Sequence, residues 1–117
     1  MSVVEAKQGN FTFQLAQAAN SNGNVLNNEQ QQFGFLLIHI VGAGFTGVVN
    51  FEGSSDPAGA FVTLRGDNVS NGAAAVLDTN PTSVVYRFDI AGFKQIRMRT
   101  SGVSAGSVSV YGRCQSF

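Results

Sequence analysis

The stretch from Phe33 to Val41 is the feature that most limits how this chain can fold. Seven of its nine residues are apolar, and most of those are aromatic or β-branched. The run is shorter than the roughly 20 residues of a membrane-spanning helix, and it is too rich in Ile, Val and Phe for a surface helix. It therefore predicts a β-strand, which Gly42-Ala43-Gly44 ends.

Both faces of this predicted strand are apolar, because successive side chains of a strand point to opposite sides. One face would carry Leu36, Ile38 and Ile40. The other would carry Phe33, Phe35, Leu37, His39 and Val41. The outer strand of a small antiparallel sheet needs only one apolar face, since the other meets water. The strand is therefore either covered on both sides within its own domain or covered on one side by another chain.

The rest of the chain consists of short strand patterns separated by turns rich in Gly, Asn and Ser. We expect a hairpin in which 33–41 and 48–52 are joined by a turn at 42–47, and a last hairpin that crosses 101–106. Strands about every ten residues predict an all-β fold, an antiparallel, jelly-roll-like β-sandwich of about seven to eight short strands. Residues 11–117 would form this single domain. Residues 1–10 would be an N-terminal arm that orders on assembly, or a frayed terminus.

Two segments of the chain weakly resemble each other. Residues 47–53 and 106–112 both begin and end with glycine and carry apolar residues at the same inner positions. Continued upstream, the same offset aligns two isoleucines with two arginines, Ile38 with Arg97 and Ile40 with Arg99. If the arginines face water, the isoleucines occupy outward positions as well and form an exposed apolar ridge. We therefore predict a homo-oligomer interface that contains Leu36, Ile38 and Ile40. The alternative is that a neighbouring strand, or the segment before residue 33, covers them within one chain.

The composition favours a protein that functions packed against partners. Charged residues make up 12% of the chain, against about 25% in an average globular protein. The formal net charge is zero, so the overall field does not favour nucleic-acid binding. The N-terminal sequence lacks the pattern of a signal peptide, and no run of about 18 apolar residues occurs. We therefore expect neither a nucleic-acid partner nor a membrane partner.

Two segments resemble recurring elements of small bacteriophage virion proteins. They are Gly-Phe-Thr-Gly-Val-Val-Asn-Phe-Glu-Gly-Ser-Ser-Asp at 44–56 and Tyr-Arg-Phe-Asp-Ile-Ala-Gly-Phe-Lys-Gln-Ile-Arg-Met-Arg at 86–99. The similarity extends over nearly the whole chain from Phe11. The proteins of this group are capsid cement or decoration proteins or tail-associated proteins, and the resemblance implies a virion structural protein, with a cement or decoration protein on the capsid surface favoured over a tail component. Such a protein forms homo-oligomers, with a trimer expected, and stabilises the shell of the major capsid protein. The alternative is a tail or head-fibre module that binds host-surface glycans, which the absence of Trp disfavours.

Five of the seven basic residues lie in the last third of the chain: Arg87, Lys94, Arg97, Arg99 and Arg113. Alternation places Arg97 and Arg99 on one face of a strand. Because arginine forms bidentate pairs with carboxylates, we predict that the five form a cationic strip that docks on an acidic capsid or tail surface. The alternative is a solvated outer face that prevents edge pairing with other sheets.

The residue types that carry catalysis are scarce and dispersed. His39 is the single histidine, and we expect it to be packed with one hydrogen bond. Cys114 is the single cysteine, which excludes an intrachain disulfide. We expect it to be semi-buried, with an interchain disulfide or thiol contact as the alternative. Glu52 and Asp56 would suit a loop calcium site, although solvated turn residues and caps are the expected role of the acids. We therefore predict no enzyme, no metal, no cofactor and no small-molecule substrate.

Overall fold

The fold is organised by two long strands. Each of them contributes to both layers of the sandwich. In the computed structural model, which describes residues 9–29, 33–56 and 60–115, they are Phe35–Ser54 with 20 residues and Gln95–Gln115 with 21. A straight strand of 20 residues would extend about 66 Å, whereas the longest dimension of the molecule is 41 Å. Both strands are therefore bent.

The described residues form nine strands, and every pairing between them is antiparallel. In chain order they are β1 Asn10–Gln17, β2 Leu26–Asn27, β3 Phe35–Ser54, β4 Val62–Thr63, β5 Gly66–Asn68, β6 Ala74–Ala75, β7 Leu77–Thr79, β8 Ser83–Asp89 and β9 Gln95–Gln115. The predicted all-β antiparallel fold is confirmed, although two of its strands are long. No helix in the described residues is long and apolar enough to cross a membrane. The first eight residues of the predicted arm lie outside the described part, and Asn10 already belongs to β1.

The bends lie at the glycine-rich segments where the sequence predicts hairpin turns. β3 continues through 42–47 and β9 continues through 101–106. The two strands pair with each other along most of their length, from Phe35 opposite Gln115 to Ser54 opposite Gln95. The prediction of two separate hairpins is therefore wrong. Gly44 in β3 has a φ of 59°, a left-handed conformation that glycine adopts without steric cost, so the strand changes direction there without reversing.

The bends divide the long strands between two layers that enclose the core. In the first layer, the first half of β3 lies between β8 and the second half of β9, and β1, β5 and β6 extend the sheet. In the second layer, β2, β4 and β7 flank the remaining halves of β3 and β9. Aromatic rings meet across the layers: the ring centroid of Phe51 on β3 is 4.9 Å from that of Tyr86 and 5.1 Å from that of Phe88, both on β8.

A buried amide fastens the segment before β3 to the turn between β8 and β9. The Asn28 side chain donates from Nδ2 to the carbonyl oxygens of Phe33 at 3.0 Å and Phe93 at 3.2 Å. Its Oδ1 accepts from the Phe33 amide at 2.7 Å. Because Asn28 is buried, these bonds are made without competition from water, and they fix the point where the chain enters β3.

Candidate interaction site

The residues predicted to form an oligomer interface lie in the core of the chain itself. Leu36, Ile38 and Ile40 are each 0% exposed and belong to the cluster of side chains between the two layers. A second chain cannot contact them while the sandwich is intact. The prediction that these three residues form an interface is therefore wrong, and the alternative, that they are covered within one chain, is confirmed.

The error arises at the bend in β3. Before the bend, even-numbered side chains such as Ile40 face the core, and after it odd-numbered ones such as Val49 do. In β9, even-numbered side chains face the core on both sides of the bend, from Met98 to Val110. An alignment of the two strands at one fixed offset cannot represent this difference. A displacement of one residue moves every side chain to the opposite face of a strand.

The opposite face of the first half of β3 is the one that the chain leaves exposed. Leu37 is 40% exposed and Val41 is 38% exposed, and Tyr111 on the neighbouring strand β9 is 42% exposed. Phe35 lies on the same face at 41% exposed, and Val85 on β8 is half-buried on that face, opposite His39. We call these five residues the apolar face. A group of adjacent exposed apolar side chains of this kind is typical of surfaces that bind other molecules.

Sequence reasoning missed the apolar face as a surface, although one signal for it was present. The grouping of Phe35, Leu37 and Val41 by strand alternation is correct. Only the choice of which apolar side meets the core was reversed.

Two arginines flank the apolar face. Leu37 lies opposite Arg87 on β8 and opposite Arg113 on β9, so the three residues form a row across three adjacent strands. Both arginines are exposed, and neither makes an ion pair with a described residue. Both also line the same open depression as Leu37. We call Arg87, Leu37 and Arg113 the arginine row.

The other three residues of the predicted cationic strip lie elsewhere and have carboxylate partners. Arg97 Nε is 2.7 Å from Glu52 Oε1, and Arg99 Nε is 3.2 Å from Glu52 Oε2. The guanidinium carbon of Arg97 also lies 4.0 Å from the centroid of the Phe61 ring. Lys94 is 3.9 Å from Glu29. The five basic residues therefore do not form one continuous strip, and the Glu52 carboxylate considered for calcium is bound by two arginines.

The two residues singled out for their chemistry have structural surroundings. Cys114 is 0% exposed, and burial raises the pKa of its thiol to about 11. A sulfur atom in the core cannot reach a second chain, so the proposed interchain thiol contact is wrong. His39 is exposed rather than packed, between Val85 and Tyr111, and its Nε2 is 3.0 Å from Ser83 Oγ. In the described part of the chain, no three His, Cys, Asp or Glu side chains are grouped to hold a metal ion.

Comparisons with known proteins relate this fold to proteins of phages and prophages. Over 92% of its length the chain superposes on the SPBc2 prophage-derived protein YomS, with a TM-score of 0.83, 25% identity and 91% of that chain covered. It also superposes on the PBSX exported protein XepA, with a TM-score of 0.83 and 27% identity over 92% of this chain and 37% of that one.

A relative with sequence similarity and a family model lead to the same group. The uncharacterized protein YqxG of Bacillus subtilis (strain 168) is 36% identical over 84 residues, which are 72% of this chain and 28% of YqxG. The chain therefore spans less than a third of YqxG and little more than a third of XepA, but nearly all of YomS. The family model for XepA matches residues 7–114. With this match over most of its length, the chain is a phage-associated protein that belongs to the XepA family.

Proposed function

We propose that this protein is a virion structural protein without enzymatic activity, and specifically a capsid cement or decoration protein. In this role it forms homo-oligomers, with a trimer as the working number, and binds the major capsid protein at the capsid surface. Membership of a family with phage-derived relatives supports the link to a phage particle. The observation that carries the proposal is the exposed apolar face, because an isolated chain gains nothing by presenting those side chains to water.

The energetics of the apolar face favour assembly. Burial of apolar surface contributes about 25 cal/mol per Å², and among the five residues Leu37, Val41 and Tyr111 are each at least 38% exposed. These residues lie on adjacent strands, so a single flat partner can cover them together. The low content of charged residues, 12% of the chain, means that little electrostatic repulsion opposes close contact between molecules.

The first test is to find the chain in purified phage particles and to add the purified protein back to capsids that lack it. The proposal expects the protein to remain with the capsids and to raise the temperature at which they open. In solution, Leu37→Glu should lower the sedimentation coefficient if the apolar face joins copies of the chain. Val62→Glu, at an exposed position on β4 in the second layer, is the matched control. Intact particles that never contain the protein would contradict the proposal.

A second candidate function is a phage protein that acts outside the host cell without being part of the particle. It is favoured by the resemblance to PBSX XepA, which is described as an exported protein. Separation of a lysate into sedimented particles and supernatant distinguishes the two. The virion proposal expects a constant number of copies per particle, whereas the second candidate places the protein in the supernatant.

A further inference from the structure

The arginine row places two positive charges at a fixed spacing on either side of an apolar side chain. Adjacent strands lie about 4.8 Å apart, so the Cα atoms of Arg87 and Arg113 are roughly 10 Å apart with Leu37 between them. Rigid sheet pairing on both sides of β3 holds this spacing. Next along the strands from the row, Tyr111 and Val85 add apolar surface on either side of the exposed His39.

These two arginines differ from the other basic side chains in the described residues. Arg65, Lys94, Arg97 and Arg99 each lie within 4.0 Å of a carboxylate oxygen. Two carboxylates lie near Arg87, on Asp67 and Asp89, but each has another partner: Asp67 Oδ1 is 3.5 Å from Arg65, and Asp89 Oδ1 accepts from the Ala91 amide at 3.2 Å. In the described part of the chain, the row therefore combines two arginines and apolar area without an ion pair, although Asp67 and Asp89 lie near Arg87.

A second copy of the chain related by a two-fold axis is a poor match for the row. In a two-fold contact the same patch faces itself, whereas in a trimer the row would face a different patch of the next copy. With Leu37 at the centre, a two-fold axis along β3 would place Arg87 of one copy over Arg113 of the other. A two-fold axis across the strands would place each arginine over its own equivalent. Either arrangement brings like charges together, which costs free energy at an interface.

We propose that the arginine row docks an acidic segment of a different protein, in which an apolar side chain packs on Leu37 and carboxylates on either side pair with Arg87 and Arg113. Arginine suits this role because its planar guanidinium forms two parallel hydrogen bonds to a carboxylate. The apolar contact supplies attraction, and the two charge pairs set position and exclude basic partners. This inference rests on the proposed assembly function, since it names the chemistry of the partner that covers the apolar face.

The test uses the full chain, labelled with ¹⁵N, and terminally blocked tripeptides as probes. The acidic probe is Asp-Leu-Asp, the basic probe is Lys-Leu-Lys, and Gln-Leu-Gln is the neutral control. At low salt the acidic probe should shift amide resonances at the arginine row and at Tyr111, with a dissociation constant on the order of 1 mM for such a small ligand. The double variant Arg87→Glu/Arg113→Glu should weaken this binding by roughly tenfold or more. A charge-matched pair of single variants separates the site from the overall charge: Arg113→Glu should weaken the binding, and Lys94→Glu, outside the row, should leave it unchanged.

Three results would overturn the inference. They are equal binding of the basic and acidic probes, no shifts at the row with any probe, and full retention of binding in the double variant with an intact fold. If sedimentation shows self-association that Arg87→Glu/Arg113→Glu abolishes, the occupant is a second copy, so the partner chemistry is wrong while the assembly proposal stands. If the acidic probe binds but the protein is absent from particles, the docking chemistry holds and the virion function fails.

Discussion

Two neighbouring residues of β3 provide the sharpest test of which face of this strand belongs to the core. Ile38 is 0% exposed between the layers, and Leu37 is 40% exposed on the apolar face. Replacement of either by alanine removes three carbon atoms from a side chain of the same size. Side-chain volume and hydrophobicity are therefore matched and the environment is the main difference, since the higher strand propensity of β-branched Ile is a smaller effect than burial.

The expected losses of stability differ by about threefold. At Ile38, three buried carbons at about 0.8 kcal/mol each give about 2.4 kcal/mol, and the cavity left in the core raises the loss to about 3–4 kcal/mol. At Leu37, part of the side chain already meets water and the site opens to solvent, so no closed cavity forms. The loss there should be about 1 kcal/mol.

Urea unfolding followed by circular dichroism measures both losses, and thermal unfolding gives a second readout. For a chain of this size, Ile38→Ala should lower the midpoint temperature by roughly 15 °C and Leu37→Ala by roughly 5 °C. Equal losses, or a larger loss for Leu37→Ala, would refute the assignment of the two faces. The proposals that depend on an exposed Leu37 would then be wrong as well.

Four further predictions concern the polar groups and the thiol. Glu52→Gln should lower the free energy of unfolding measured in urea by about 2 kcal/mol, because the mostly buried carboxylate pairs with Arg97 at 2.7 Å and Arg99 at 3.2 Å. A loss below about 0.5 kcal/mol would show that these contacts are only surface ion pairs. Asn28→Ala should lower the free energy of unfolding by about 2–4 kcal/mol, because it leaves the buried backbone groups of Phe33 unpaired. The control Asn27→Ala, at the exposed neighbouring residue, should lower it by less than about 0.5 kcal/mol. The thiol of Cys114 should resist a thiol reagent at pH 8 until the protein is denatured, and rapid labelling of the native chain would contradict its burial. Burial raises the pKa of the Cys114 thiol from 9.0 to about 11 and also raises the pKa of Tyr86. The free energy of unfolding should therefore be constant with respect to the thiol below about pH 9 and should fall as the pH rises to about 11. Unfolding curves at pH 8 and 10.5 that coincide would exclude this effect.

The fold class and the faces of single strands were predictable from the sequence, because alternation within a strand is a local property. It correctly grouped Leu36, Ile38 and Ile40, and it correctly placed Arg97 and Arg99 on one side. Which group meets the core depends on the bend in β3, where glycines permit a conformation that the pattern of apolar residues does not encode. The repeat between 47–53 and 106–112 held within its own bounds, where Val49 and Val108 are both buried, and failed when it was continued across the bend.

The candidate site was less predictable because its parts come from distant segments. The pairing of Arg97 with Glu52 joins residues 45 positions apart, and it follows only once β3 and β9 are known to pair along most of their length. Because the glycines at 42–47 and 101–106 were interpreted as hairpin turns, the pairing of β3 with β9 was not predicted. The repeat between 47–53 and 106–112 was the sequence signal for this pairing. Two strands that share a pattern of glycines and apolar residues are suited to pair with each other about an approximate two-fold axis.

The position of β9 after every strand with which it pairs has a consequence for synthesis. β1, β2 and β3 all take β9 as a hydrogen-bonding partner, although they are made long before it. During translation, the apolar run of β3 therefore leaves the ribosome without the strand that completes either layer, and contacts between residues so far apart in sequence form late. A product that stops before residue 95 would lack the strand that pairs with β1, β2 and β3, so it could not close the sandwich.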